Sequence, residues 1–95
     1  MKKEDIAIFI ERQSINRNGI LLLDYTDTKK AVEMCEENKI NVLGIDAFSL
    51  QGNKLEPHLN KSVDFSSGFC DFSSPCEYLN QFDDDCKYML FEITI

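Results

Sequence analysis

The chain has 95 residues, a hydrophobic fraction of 43% and a formal net charge of −7. This length fits one domain, and the hydrophobic fraction is typical of a folded protein rather than a disordered one. No apolar run approaches the roughly 20 residues that span a bilayer, and the mixed-charge N-terminus lacks the pattern of a signal peptide. We therefore expect a cytoplasmic protein that makes no use of a membrane.

The acidic residues are concentrated in the last third of the chain. Residues 1–61 hold ten acidic and nine basic residues, whereas residues 62–95 hold seven acidic residues and one lysine. An acidic surface repels nucleic acid and attracts basic proteins. We therefore expect a protein partner and no nucleic acid. The alternative is that the acidic residues only keep a small domain in solution.

The N-terminal half predicts two helices. Residues 4–17 carry apolar side chains at spacings of three and four, and Gly19 suits a left-handed helix cap after them. Residues 20–23 fit a short strand, a buried connection or the start of a helix equally well. Residues 24–38 predict a second helix, with Asp24 or the nearby threonine as its N-terminal cap.

The C-terminal half predicts the sheet. Residues 40–50 form the longest apolar run and predict a central strand buried on both faces. Residues 54–58 follow a Gly-Asn turn and pair back as a short edge strand. Ser74 begins a short helix, and residues 87–95 alternate with a period of two, as a strand does. The chain is therefore predicted to be α+β, with a mainly antiparallel sheet of three to four strands. Two N-terminal helices pack on one face, and a short helix precedes the last strand.

The sequence carries no motif for a metal, a cofactor or a nucleophilic catalyst. The four cysteines (Cys35, Cys70, Cys76 and Cys86) match no common zinc spacing, and His58 is the only histidine. A Gly-rich phosphate loop and a nucleophile elbow are both missing from the sequence. We therefore predict reduced thiols, no bound metal or cofactor, and no catalytic residues.

Asp46 interrupts the central apolar run with a carboxylate. An unpaired charge in such a place costs several kcal/mol, so Asp46 needs a partner. A second carboxylate, from Glu56 across the hairpin or Glu92 on the last strand, would raise one pKa and suit acid–base catalysis. Alternatively, Asp46 accepts hydrogen bonds from a loop, pairs with a basic side chain, or binds an arginine of a partner.

The segment 62–86 holds six acidic residues and five aromatic residues with no basic residue among them. Carboxylates attract a basic partner, and aromatic side chains supply most of the binding energy at protein interfaces. The alternative is that the aromatic residues belong to the core and the acids form a solvated rim. The predicted partner-binding residues are Asp46, Asp64, Asp71, Phe72, Glu77, Tyr78, Asp83, Asp84 and Asp85.

The order of elements and several short motifs carry a resemblance to a known family. The motifs are Asn18-Gly19-Ile20, Ala31-Val32, Leu43-Gly44-Ile45-Asp46-Ala47-Phe48, Gly52-Asn53-Lys54-Leu55-Glu56 and an aromatic-rich final strand. They resemble the immunity proteins of bacterial polymorphic toxin systems, most closely immunity family forty. The resemblance implies a non-catalytic protein that binds and neutralises a cognate toxin, and a nuclease would offer the basic surface that the acids favour.

Two other functions remain open from the sequence. One is a small enzyme that uses a carboxylate pair around Asp46. The other is a regulatory or assembly module that forms a homodimer through an exposed strand edge. The chain is accordingly expected to be a monomer or a homodimer.

Overall fold

The computed structural model describes residues 2–58, 62–65, 74–82 and 89–95. These residues form three helices, which are α1 (Lys3–Gln13), α2 (Tyr25–Glu37) and α3 (Pro75–Asn80). They also form six strands, which are β1 (Ile15–Arg17), β2 (Ile20–Leu22), β3 (Gly44–Gln51), β4 (Lys54–Pro57), β5 (Val63–Asp64) and β6 (Met89–Thr94). The predicted α+β class is confirmed, with two helices at the N-terminus and a short helix before the last strand.

Strand β3 is the centre of a four-stranded antiparallel sheet. Its residues Gly44–Ser49 pair with β6 along one edge. Strands β4 and β5 share the opposite edge, where they pair with Phe48–Gln51 and with Gly44–Ile45. The prediction of a central strand is therefore confirmed, although the strand begins at Gly44 rather than at Ile40.

Ala47 lies at the gap between β4 and β5 on that shared edge. Its carbonyl accepts the N–H of His58 at 2.8 Å, and its own N–H donates to Ser62 Oγ at 3.2 Å. The Ser62 hydroxyl in turn donates to the His58 carbonyl at 3.1 Å. A side-chain hydroxyl thus replaces the strand backbone at this point and keeps the polar groups of Ala47 paired.

The prediction that the first helix runs to Arg17 is wrong. The helix ends at Gln13, and β1 turns back onto β2 as an antiparallel hairpin. Asn18 and Gly19 form its two-residue turn, with φ angles of 53° and 87°. Two positive φ angles are what a type I′ turn requires, and Asn-Gly is the pair that adopts them most readily.

The hairpin is attached to the main sheet through Leu23. The N–H of Leu23 donates to the carbonyl of Phe91 at 2.8 Å, and the reverse bond is 2.7 Å long. This bridge places the hairpin beside β6, on the edge that does not face β3. The segment 20–23, which the sequence left open, is therefore a strand and a bridge to the sheet.

The two predicted helix starts are confirmed by their caps. The Asp24 carboxylate accepts the N–H of Asp27 at 2.8 Å at the start of α2. The Ser74 hydroxyl accepts the N–H of Glu77 at 3.2 Å, and Pro75 occupies the first turn of α3.

The C-terminus of α2 closes with a Schellman motif. The N–H of Ile40 donates to the Cys35 carbonyl at 2.8 Å, and the N–H of Lys39 donates to the Glu36 carbonyl at 3.3 Å. Lys39 occupies the left-handed position of this motif, with a φ angle of 57°. Because Ile40 still belongs to the cap of α2, β3 begins only after it.

The hydrophobic core lies between the helices and one face of the sheet. The helices contribute Ile6, Ile10, Ala31, Val32, Cys35, Tyr78 and Leu79, and the strands contribute Ile45, Ala47, Met89 and Phe91. The predicted core face of the last strand is therefore confirmed at Met89 and Phe91. No helix in the described ranges is both long and apolar enough to cross a bilayer.

Candidate protein-binding face of the sheet

The strands place two different sets of side chains on the two faces of the sheet. Side chains alternate along a strand, so Ile45 and Ala47 face the helices and their neighbours face the other way. We call this second side the outer face. Register assigns to it Asp46, Phe48, Leu50, Leu55, Pro57, Asp64, Leu90, Glu92 and Thr94.

Three carboxylates meet at one end of the outer face. Asp46 and Glu92 are direct cross-strand partners, so their carboxyl groups lie side by side on this face. Asp64 lies opposite Gly44, two residues before Asp46 on the same face. In the described part of the chain, no lysine or arginine forms an ion pair with Asp46 or Glu92.

The electrostatic effect of this arrangement is clearest at Glu92. Partial burial, the negative charge of Asp46 and the hydrogen bond with Asp46 raise the pKa of Glu92. Burial and the Asp46 charge also raise the pKa of the Tyr78 hydroxyl. The charge of Asp46 therefore contributes to the raised pKa of one group on β6 and of one group on α3.

An apolar area continues from the carboxylates along the outer face. Phe48 is 9% exposed, and Leu50, Leu55 and Leu90 are partly buried around it. Phe48 belongs to the buried residues of the chain but not to the cluster between sheet and helices. The outer face thus has an acidic end and an apolar end within a few residues of each other.

Glu56, the other proposed partner of Asp46, lies elsewhere. It is opposite Ser49, which places it on the helix side of the sheet. Its carboxylate lies 3.7 Å from the ammonium of Lys54 in an exposed ion pair. Glu92, and not Glu56, is therefore the second carboxylate that the structure brings to Asp46.

Tyr78 and Glu77 occupy different environments on α3. Tyr78 is 1% exposed, and its ring contacts Phe65 and Phe82 edge-to-face at centroid distances of 6.3 Å and 5.3 Å. The structure therefore gives Tyr78 a core position instead of the surface position expected of a partner contact. Glu77 is exposed in the first turn of α3.

The thiol of Cys76 lies beside a carboxylate between α2 and α3. Its thiol donates to Glu36 Oε2 at 2.9 Å. Burial, this hydrogen bond and the charges of Glu36 and Glu33 raise the pKa of Cys76 to about 11. Cys35 is buried and unpaired, as predicted for a small core residue.

Several predicted positions lie outside the described residues. They are Asp71, Phe72, Asp83, Asp84 and Asp85 among the partner-binding candidates, and Cys70 and Cys86 among the cysteines. Within the ranges that are described, no group of three or more His, Cys, Asp or Glu side chains is arranged to hold a metal ion.

The apolar half of the outer face is the part that the sequence analysis did not single out. Its signal was present in β3, where Phe48 and Leu50 alternate with the core residues and are apolar too. Leu90 repeats this pattern on β6. A strand that is apolar on both sides predicts a second covered or contacting face, not a solvated one.

Comparisons of the chain with protein-family models, with curated proteins and with solved structures found no match, so its function is inferred from its own residues.

Proposed function

We propose that this chain is a cytoplasmic immunity-type protein that binds and neutralises a basic, nuclease-like toxin. The observation that carries the proposal is the composition of the outer face, where Asp46, Asp64 and Glu92 adjoin the apolar residues around Phe48. Such a face can bind a partner that combines cationic and apolar groups.

Each half of the outer face has its own part in binding. The carboxylates attract a basic partner over a distance and raise the association rate. The partly exposed side chains of Leu50, Leu55 and Leu90, which surround the buried Phe48, supply the desolvated contact that slows dissociation. A basic partner would also relieve the repulsion between Asp46 and Glu92, neither of which pairs with a lysine or arginine of the described residues.

The remaining acidic residues extend the same argument. Glu33, Glu36 and Glu77 add negative charge on the helix side, and the acidic run Asp83–Asp85 adds three charges by sequence. A basic protein of ordinary interface size covers about 800 Å² of its partner. Several of these acids can therefore steer the encounter without each lying in the contact.

The proposal is tested by co-expression with the toxic domain encoded directly upstream of this gene. Cells that produce both proteins should grow, and calorimetry of the purified pair should show tight binding with one-to-one stoichiometry. The double variant Asp46→Asn/Asp64→Asn should raise the Kd by about tenfold or more.

Glu37→Gln is the matched control, because it removes one exposed acid from α2, on the opposite side of the sheet. It should leave the affinity nearly unchanged. The absence of a toxin gene at that position, a lack of protection, or equal effects of the two variants would overturn the proposal.

A small enzyme is the second candidate, and the cross-strand pair of Asp46 and Glu92 favours it. A carboxyl group whose pKa is raised by burial and by a neighbouring carboxylate is an arrangement that acid–base catalysis uses. Stoichiometry separates the two functions. An inhibitor neutralises its toxin only when the two are equimolar, whereas an enzyme that inactivates the toxin acts at a small fraction of that amount.

A further inference from the structure

Asp46 and Glu92 are two carboxyl groups that lie opposite each other on the outer face. Ionised carboxylates offer only acceptors, so the two groups can share a hydrogen bond only when one of them holds a proton. The register keeps the two groups side by side, because they are direct cross-strand neighbours on β3 and β6. Like charges at such positions destabilise a strand pair. The geometry therefore favours a pair that holds one proton.

Within the part of the chain that the structure describes, no lysine or arginine compensates the charge of Asp46 or Glu92 by an ion pair. Among the described residues, two other elements bring a titratable group toward the pair. Asp64 on β5 lies opposite Gly44, and the hydroxyl of Tyr78 on α3 is affected by the charge of Asp46. Strand β4 contributes apolar side chains to this face, and β2 contributes the buried Leu22 beside Glu92.

We propose that Asp46 and Glu92 form a proton-dependent latch between β3 and β6. The latch is closed when the pair holds one proton and is weakened when both groups are ionised. This device belongs to the fold of the free protein and does not depend on the proposed toxin.

The consequence for stability follows from proton counting. The folded chain raises the pKa of Glu92, so between the ordinary glutamate pKa and the raised value it binds more protons than the unfolded chain. Stability is therefore greatest below that window and falls as the pH rises through it. Each unit by which the pKa is raised increases the opening equilibrium about tenfold once both groups are ionised.

The loss of stability at higher pH weakens the attachment of strand β6 to β3. It places Met89 and Phe91 in the core, and Phe91 also holds the N-terminal hairpin through its two hydrogen bonds to Leu23. Opening of β6 therefore loosens the hairpin as well. Both backbone hydrogen bonds of Phe91 go to Leu23, so the amide protons that face β3 are those of its neighbours Leu90 and Glu92, and these report on the opening by hydrogen exchange.

The first test is an NMR titration of the side-chain carboxyl carbons in the full chain. The Glu92 carbon should titrate above the ordinary glutamate range. Amide exchange at Leu90 and Glu92, corrected for its intrinsic pH dependence, should accelerate across that transition.

The second test uses Glu92→Gln, whose amide donates to the Asp46 carboxylate without a titratable proton. This variant should keep the protection of β6 and lose its pH dependence, whereas the control Glu37→Gln should behave like the unmodified chain. A Glu92 carbon that titrates as an ordinary glutamate would overturn the proposal, as would equal pH dependence in Glu92→Gln and the unmodified chain. If Glu92→Gln does not fold, the carbon titration of the unmodified chain decides by itself.

Discussion

Replacing Lys39 by glycine should stabilise the protein, although the change removes a side chain. Lys39 occupies the left-handed position of the Schellman motif at the end of α2, with a φ angle of 57°. A residue with a Cβ atom is strained there by roughly 1–2 kcal/mol, and glycine is not. The greater freedom of glycine in the unfolded chain offsets about 0.5–1 kcal/mol of that gain.

The proper reference is Lys39→Ala, because it removes the same positive charge from the helix C-terminus and keeps the Cβ atom. Both variants lose the small favourable interaction of the lysine with the helix dipole. The difference between them therefore isolates the backbone, and we expect glycine to be more stable than alanine by about 0.5–1 kcal/mol. For a domain of this size, that difference corresponds to about 2–8 °C in Tm.

Thermal unfolding followed by circular dichroism, together with urea unfolding, measures this difference. The urea curves should shift in midpoint at constant slope, because the folded structure is unchanged. Equal midpoints for Lys39→Gly and Lys39→Ala, or a lower midpoint for glycine, would refute the assignment of backbone strain to this position.

Three further substitutions test single interactions by urea unfolding. Ser49→Ala should raise stability by up to about 1 kcal/mol, because Ser49 Oγ is buried without a hydrogen-bond partner among the described residues; a loss of stability would contradict this. Gly19→Ala should lower it by about 1–2 kcal/mol through strain at a φ angle of 87°, since nothing lies within 4 Å of the added Cβ; an unchanged midpoint would contradict this. Tyr25→Phe removes a 3.0 Å hydrogen bond to the Leu79 carbonyl and should cost about 0.5–1 kcal/mol. This cost in stability is small because the Leu79 carbonyl keeps a second hydrogen bond, from the N–H of Phe82 at 3.2 Å. A loss of several kcal/mol would contradict this prediction.

Local signals made the helix starts predictable, and competition between two local signals made the first helix end unpredictable. Asp24 and Ser74 cap their helices through bonds to residues three positions away, which the sequence displays directly. Asn18-Gly19 suits a helix stop and a hairpin turn equally well by composition. The hydrogen bonds between Leu23 and Phe91 favour the hairpin, and they form between distant parts of the chain.

At the candidate site, too, the sequence predicts what a local turn determines and does not predict what distant strands determine. A two-residue turn at Gly52-Asn53 fixes the hairpin register, so counting back from it already places Glu56 opposite Ser49 and away from Asp46. The pairing of Asp46 with Glu92 has no such local rule, because β3 and β6 are joined by a long stretch of chain. Its register follows from burying Ala47 and Phe91 on the same face, which only the packed sheet determines.

The contact between Cys76 and Glu36 has a consequence for thiol chemistry. With a pKa of about 11, only about one Cys76 thiol in ten thousand is ionised at pH 7. The thiolate is the form that peroxides, disulfides and alkylating reagents attack, so this cysteine is protected first by its partial burial and then by the carboxylate beside it. A maleimide or iodoacetamide label directed at Cys76 should accordingly react slowly, and it should react faster when Glu36 is replaced by glutamine.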